Sequence, residues 1–285
     1  MTAPPRRVIA VCVDDVGLVD GVAETVVELA AAERVCAASC VTTAPGWRRA
    51  AAVLASSKAP LGLGLHFNLS EGAPLSAELR ARWPVLPGLA RLLAAAALRR
   101  LPSAAIGAEF AAQVGAFVAA TGRRPEFIDG HQHVHALPGV REAVLAAIAT
   151  WPAPPAVRNT GRVLGPGADF KRGVIEACGG RALQRDLVER GIAHNRALLG
   201  AYEFAATDYR RLMRSWLAEA PAPGSLLFCH PCRSRGSGSG DGDGDGDDAI
   251  AAARRREAAY FGSDAFAADL GEAGFRVGDV WARAG

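Results

Sequence analysis

Several things are scarce in this sequence, and each absence removes a class of protein. No apolar run is long enough to cross a bilayer: the longest helix-like one, Leu89 to Leu98, holds Arg91, and a spanning helix needs about 20 residues. No secretory signal is legible, because the Met1–Arg7 lead enters an apolar run that ends in Asp14-Asp15, and cleavage there would remove the acidic pair. A soluble, cytoplasmic protein without a transmembrane segment is the expectation. Basic residues exceed acidic ones by only 32 to 29 and form no aromatic-interleaved stripe, so nucleic acid is not an expected partner. Cys12, Cys36, Cys40, Cys178, Cys229 and Cys232 are dispersed and read as reduced core residues rather than a disulfide framework. Cys229-His-Pro-Cys232 makes a C-x-x-C, but the loop-like Arg-Ser-Arg-Gly-Ser-Gly follows it, where a redox motif requires a helix. Nucleophile elbow, P-loop and Rossmann fingerprint are missing, which disfavours acyl-enzyme, phosphoryl-transfer and nicotinamide chemistry.

What is present is a large potential core. Half of the 285 residues are hydrophobic and 21% are charged, which argues against global disorder. Short β-branched runs at 8–13, 37–42, 61–66, 127–131, 156–158, 225–229 and 275–280 alternate with helical patterns at 19–33, 46–56, 103–121, 139–150, 173–199, 209–220 and 249–273. That alternation is the mark of repeated βα units. About seven strands with interleaved helices suit one (β/α) barrel or partial barrel over residues 1–285. The stretch 233–248 is Gly/Ser and then Gly/Asp alternation; it cannot bury apolar surface and reads as a disordered surface insertion. Asp241, Asp243, Asp245 and Gly246 imitate an EF-hand, but the twelfth position is Ala252, so calcium is not expected.

Polar chemistry gathers where the strands end. Val8–Val13 runs into Asp14-Asp15-Val-Gly17, and adjacent carboxylates after a buried strand call for a cation or a shared proton. A metal on one leaves the other as a base; the plainer alternative is a helix N-cap with a first-turn acid. Leu63-Gly-Leu-His66-Phe-Asn68 repeats the design with an imidazole, and Asn68 reads as a turn residue. In Phe127-Ile-Asp129-Gly-His131-Gln-His133-Val-His135-Ala-Leu-Pro138, an extended chain would set the three histidines on one side, with Pro138 opening a helix. One can ligate while the others, with Asp129, orient it or meet substrate. Leu226–Cys229 ends in His230, a candidate general acid. Two imidazoles and a carboxylate suit a catalytic site for one borderline divalent cation, and metal-activated water attacking a carbonyl is the chemistry that remains.

These four segments, Asp14-Asp15-x-Gly17, Gly64-Leu-His66-x-Asn-Leu, Asp129-Gly-His131-Gln-His133-Val-His135 and Cys229-His230-Pro, resemble in order and spacing the YdjC-like carbohydrate deacetylases, which include chitooligosaccharide and hopanoid-associated enzymes. The likeness runs from Val8 to about Val280 and implies a distorted barrel akin to the NodB-type deacetylases. It further implies Asp15, His66 and His131 as ligands of one divalent metal, zinc or magnesium, Asp14 as the base that activates water, and His230 as the acid. His133, His135 and Asp129 are left as substrate or supporting contacts. Where the family often has Asn-Ala before the acidic pair and an aromatic after it, this chain has Cys12-Val13 and Val16.

The expected reaction is hydrolysis of an N-acetyl group on an amino sugar, oligosaccharide or glycolipid. The alternatives are a metal hydrolase of another amide, ester or phosphate bond and a non-catalytic metal- or sugar-binding barrel. The Pro87–Arg100 stretch reads as an Ala/Leu helix packed on the barrel, or as a peripheral membrane contact through Arg91, Arg99 and Arg100. Trp47, Trp83 and Trp151 are candidates for stacking on sugar rings, with core or rim positions the plainer reading. Oligomeric state has no signature in the sequence.

Overall fold

The computed structural model describes residues 7–166, 169–221, 223–234 and 245–281. The 235–244 part of the Gly/Ser/Asp insertion, with Asp241 and Asp243, therefore lies outside the described residues.

Seven parallel strands form the sheet, in the order β5 (Ala156–Val157), β4 (Phe127–Gly130), β3 (Gly62–Phe67), β2 (Ala37–Cys40), β1 (Arg7–Val16), β7 (Ser225–Cys229) and β6 (Ala197–Leu199). It is curled into a half-barrel with helices around it, and the short β8 (Phe275–Val277) pairs with the start of β1. Alternation along β1 divides the core. Ile9, Val11 and Val13 join one apolar cluster with Val26, Leu29 and Phe261 from the surrounding helices. Ala10 and Cys12 join a second with Leu226, Phe228 and Phe127, as a period of two requires. Phe127 stacks on Trp281 at 5.4 Å between centroids, and a Cβ on Gly64 would come within 2.2 Å of the Phe127 ring. Glycine in Leu-Gly-Leu-His is thus demanded by the aromatic on the neighbouring strand.

Three expectations need correction. The continuous helix over 173–199 is instead α7 (Asp169–Ile175), a π turn at Glu176–Gly180, α8 (Arg181–Glu189) and then β6. Gly179, with φ of 143°, breaks the helix, and β6 exists because Ala197–Leu199 pairs with Ser225–Leu227. The 249–273 helix is two, α10 (Asp245–Phe261) and α11 (Asp264–Glu272), parted at Gly262-Ser263. Among the described residues the longest apolar helix is α5 (Ser103–Thr121), not the 89–98 stretch, and it meets the length and composition of a spanning helix. Its Glu109 and Gln113 are fully buried. Glu109 accepts the backbone N–H groups of Leu75 and Ser76, and Gln113 bonds both backbone groups of Asn68. These two polar residues tie α5 to the loop after β3.

Candidate active site

Sequence-predicted site residues from four strands meet at the carboxyl end of the sheet, the functional face of parallel α/β folds. Strand register explains the neighbours: His66 lies opposite Asp129 on β3 and β4, and Val13 opposite Cys229, which sets Asp14-Asp15 beside His230. At the acidic pair the register against β2 slips between Val13 and Val16. Asp15 there holds φ of 63°, a left-handed conformation costly for a residue with a Cβ and frequent at functional sites. Gly17 follows at φ of 93°, where a Cβ would meet Trp47 Cα at 3.1 Å. The glycine of the Asp-Asp-x-Gly motif is thus a backbone requirement.

Around Asp15 Oδ1 stand His66 Nε2 at 3.6 Å and His131 Nδ1 at 3.1 Å. The far nitrogen of each ring is held by another carboxylate: His66 Nδ1 by Asp129 at 2.7 Å, His131 Nε2 by Glu71 at 2.9 Å. Carboxylates behind imidazoles fix ring orientation and direct the other nitrogen at a cation. Ser39 on β2 joins His66 Nδ1 at 3.0 Å and also hydrogen-bonds Asp129. One ligand atom from each of Asp15, His66 and His131 lies within 4.8 Å of the others, and the mixed N/O donor set suits a divalent metal of the zinc type. The residues present fit the expected ion.

Cys12, Asp14 and Asp129 also come together, but a protein cation already occupies that cluster. Arg158, fully buried at the end of β5, donates 2.6 Å hydrogen bonds to both Asp14 oxygens and lies 2.5 Å from Asp129 Oδ2. Burial would push Asp129 up, yet Arg158, and after it His66 and Ser39, hold it well below the usual carboxylate range. Asp15 behaves likewise: burial is outweighed by Arg254, whose Nη2 is 2.6 Å from Oδ2, and by His131. Burial would lower His131, but hydrogen bonds to Asp15 and Glu71 raise it to about 10. These bonds favour the imidazolium form, and a cation held by this ring would have to displace its proton. We expect zinc affinity to rise with pH from 6 to 8, with proton release on binding. Calorimetry in buffers of different ionisation enthalpy measures this, and affinity flat with pH would contradict it.

The extended arrangement of the three histidines is not realised. Residues His131–Ala136 form a 3₁₀ turn with positive φ at Gln132 and His133, which sends the side chains apart. His131 faces Asp15; His135 Nε2 meets the Arg158 carbonyl at 2.9 Å; His133 packs edge-on against Phe228. Burial lowers His135 to about 4 and His133 well below its ordinary value, so neither is charged at neutral pH. The helix after Pro138 begins at Val140. Burial also lowers His230 to about 4, against the pull of Asp15 4.0 Å away. Asn68 is the expected turn residue: its Oδ1 accepts the N–H groups of Ser70 and Glu71, and its Nδ2 donates to the Glu71 carbonyl.

A cavity of about 650 Å³ opens over these groups. Asp14, Asp15, His66, Glu71, His131, His133, His230 and Arg254 form its polar floor, and Leu89, Leu93, Val174, Ile175, Phe204 and Phe228 contribute apolar walls. Trp47, Trp83 and Trp151 do not line it; Trp47 stacks on Phe117 in the core. The six cysteines are free, with Cys229 bonding the Cys12 carbonyl and Cys232 the Asp20 carbonyl. Sequence reasoning did not single out Ser39, Glu71, Arg158, Arg254 or Glu257. Only Arg158, a charge ending a short apolar strand, carried a visible signal.

The comparisons with known proteins agree with this architecture. The family model described as YdjC-like protein matches residues 8–272. A carbohydrate deacetylase of Xenopus laevis is 31% identical over 151 residues, 50% of this chain and 47% of that protein. A chitooligosaccharide deacetylase of Klebsiella pneumoniae (strain 342) is 32% identical over 153 residues, 50% of this chain and 55% of its own length. The chain thus spans about half the length of the curated relatives it matches. A crystal structure from Enterococcus faecalis V583, named for cellobiose-phosphate cleavage, covers 96% of this chain and 98% of its own, with TM-score 0.73 at 17% identity; that likeness speaks for the fold alone. A family match over almost the whole chain, with the four motifs meeting at one cavity, places this protein in the YdjC-like family.

Proposed function

We propose that the chain is a metal-dependent carbohydrate N-deacetylase, acting through one divalent cation on Asp15, His66 and His131. The observation that carries this reading is the pairing around Asp15: two imidazoles aimed at one carboxylate oxygen, each backed by a second carboxylate. The deacetylase names of the relatives supply the reaction class. When bound, the cation polarises the acetamide carbonyl and acidifies water. Asp14, oriented by the two hydrogen bonds from Arg158, takes the proton of the attacking water. His230, neutral at rest, must take up the proton that the attacking water gave to Asp14 before delivering it to the departing sugar amine, so that one proton leaves the water and one reaches the nitrogen. His133 is a neutral imidazole lining the cavity, suited to hydrogen-bonding a sugar hydroxyl. His135 and Asp129 support it through Arg158 and His66.

We read residues 1–285 as one catalytic unit, and a cytoplasmic setting accords with six free thiols. The test is acetate release from N-acetylglucosamine oligomers and from an N-acetylglucosaminyl lipid, with and without chelator. Turnover lost to chelator and restored by zinc or magnesium is expected; chelator-insensitive turnover would overturn the metal reading. The apolar wall of Leu89, Leu93, Val174 and Ile175 favours a substrate with an apolar portion beside the sugar. A KM for the glycolipid about tenfold below that of a water-soluble oligomer is expected, since burying a few methylenes at ~0.8 kcal/mol each suffices. Leu93→Asp should erase that difference, and equal KM values in the unaltered enzyme would count against the glycolipid.

A further inference from the structure

Two side chains of α10 reach the site from outside the sequence motifs. Arg254 and Glu257 are three residues apart and share a helix face. Arg254 Nη2 lies 2.6 Å from Asp15 Oδ2, and its Nη1 donates to the His230 carbonyl at 3.4 Å. Glu257 is fully buried; one of its oxygens accepts the His230 backbone N–H at 2.5 Å and the other the Tyr202 hydroxyl at 2.5 Å. One helix face therefore holds both backbone groups of His230, and Pro231 restricts the same residue from the other side. The imidazole has little else to orient it. Its buried Nδ1 has no hydrogen-bond partner among the described residues, and its ring rests edge-on against Phe204 and Phe228, both 5.7 Å between centroids. A general acid without a side-chain partner takes its aim from its backbone.

We propose that Arg254 and Glu257 are positioning residues: they set His230 against Asp15, and Arg254 holds Asp15 Oδ2 so that Oδ1 alone is left to the cation. The His230 half rests on the deacetylase reading; the Asp15 half does not. A guanidinium on Oδ2 keeps the carboxylate charged but weakens it as a donor and repels a dication. Removing it should therefore tighten metal binding while slowing turnover, a combination that simple damage to the site does not produce.

The experiment combines zinc titration by calorimetry with kinetics on two substrates, an N-acetylglucosamine oligomer and 4-nitrophenyl acetate, whose phenolate departs without a proton. Arg254→Met is expected to bind zinc about tenfold more tightly, on the scale of changes around metal ligands, with a lower kcat; Arg254→Lys should fall between it and the unaltered protein. Weaker or unchanged zinc binding would overturn the role given to Arg254. Glu257→Leu is expected to bind zinc normally and to lose about a hundredfold in kcat on the amide, as for a misplaced acid. Its KM should change little, its loss on the phenyl ester should be much smaller, and Glu257→Gln, whose amide oxygen can still accept the His230 N–H while its amide nitrogen donates to the Tyr202 hydroxyl oxygen, should restore the amide rate. Equal losses on both substrates would overturn the role given to Glu257. Tyr202→Phe loosens the same carboxylate and is read the same way should Glu257→Leu not fold. If the unaltered protein releases no acetate from any N-acetyl sugar, the deacetylase reading fails, and the zinc titration still decides the Arg254 half.

Discussion

Asp14→Asn is expected to lower kcat for acetate release by about a thousandfold, within the range for loss of a general base. The substitution keeps the shape of the side chain but removes its charge and its capacity to take a proton. Zinc content should be unchanged, because Asp14 is not among the three groups facing the cation position. Stability should fall as well. Arg158 loses one of two carboxylate partners in a fully buried setting, and breaking such a pair costs about 3 kcal/mol or more. Kinetics measured well below the variant's Tm, with metal content checked, separate the two effects. A rate within about tenfold of the unaltered protein would remove Asp14 from the base role, since general catalysis contributes at least about a hundredfold.

The second large effect belongs to stability. Arg158→Met leaves Asp14 and Asp129 facing each other without their cation, and should destabilise the fold by about 3–5 kcal/mol at pH 7. The pH dependence carries the signature. In the unaltered protein the folded pKa of Asp129 is depressed, burial being outweighed by Arg158 and then His66. Its contribution is therefore fully present above its unfolded value of roughly 4 and is lost as pH falls through the lower folded value. Without Arg158, burial raises Asp129 instead, the folded state binds protons more readily, and the sign reverses. The deficit against the unaltered protein should narrow between pH 7 and pH 5 in urea unfolding. A deficit constant over that interval would show that Arg158 acts by packing alone.

Much of this site can be read in the linear chain because it is built at strand ends. A buried strand announces itself by its apolar run, and the first polar residue after it must lie on the carboxyl face of a parallel sheet. Asp14-Asp15, His66, His131 and His230 all obey that rule, and for the same reason all seven expected strands overlap observed ones. The rule fails where geometry is made by pairing or by backbone strain. Ala197–Leu199 is a strand only because β7 offers an open edge. His133 and His135 leave the face shared with His131 because two consecutive residues take positive φ.

The acidic pair with which the motifs begin shows where the division falls. Composition, strand periodicity and four short motifs were enough for a barrel or partial barrel, a set of residue types able to ligate a metal and a resemblance to the YdjC-like family, since these depend on local pattern. Tertiary structure alone decided how the charges are shared: Asp14 goes to Arg158, 144 residues away, and Asp15 to Arg254, 239 residues away. Arginines on distant elements leave no periodic trace, because burying a carboxylate requires a partner in space and sets no requirement on where in the chain that partner lies.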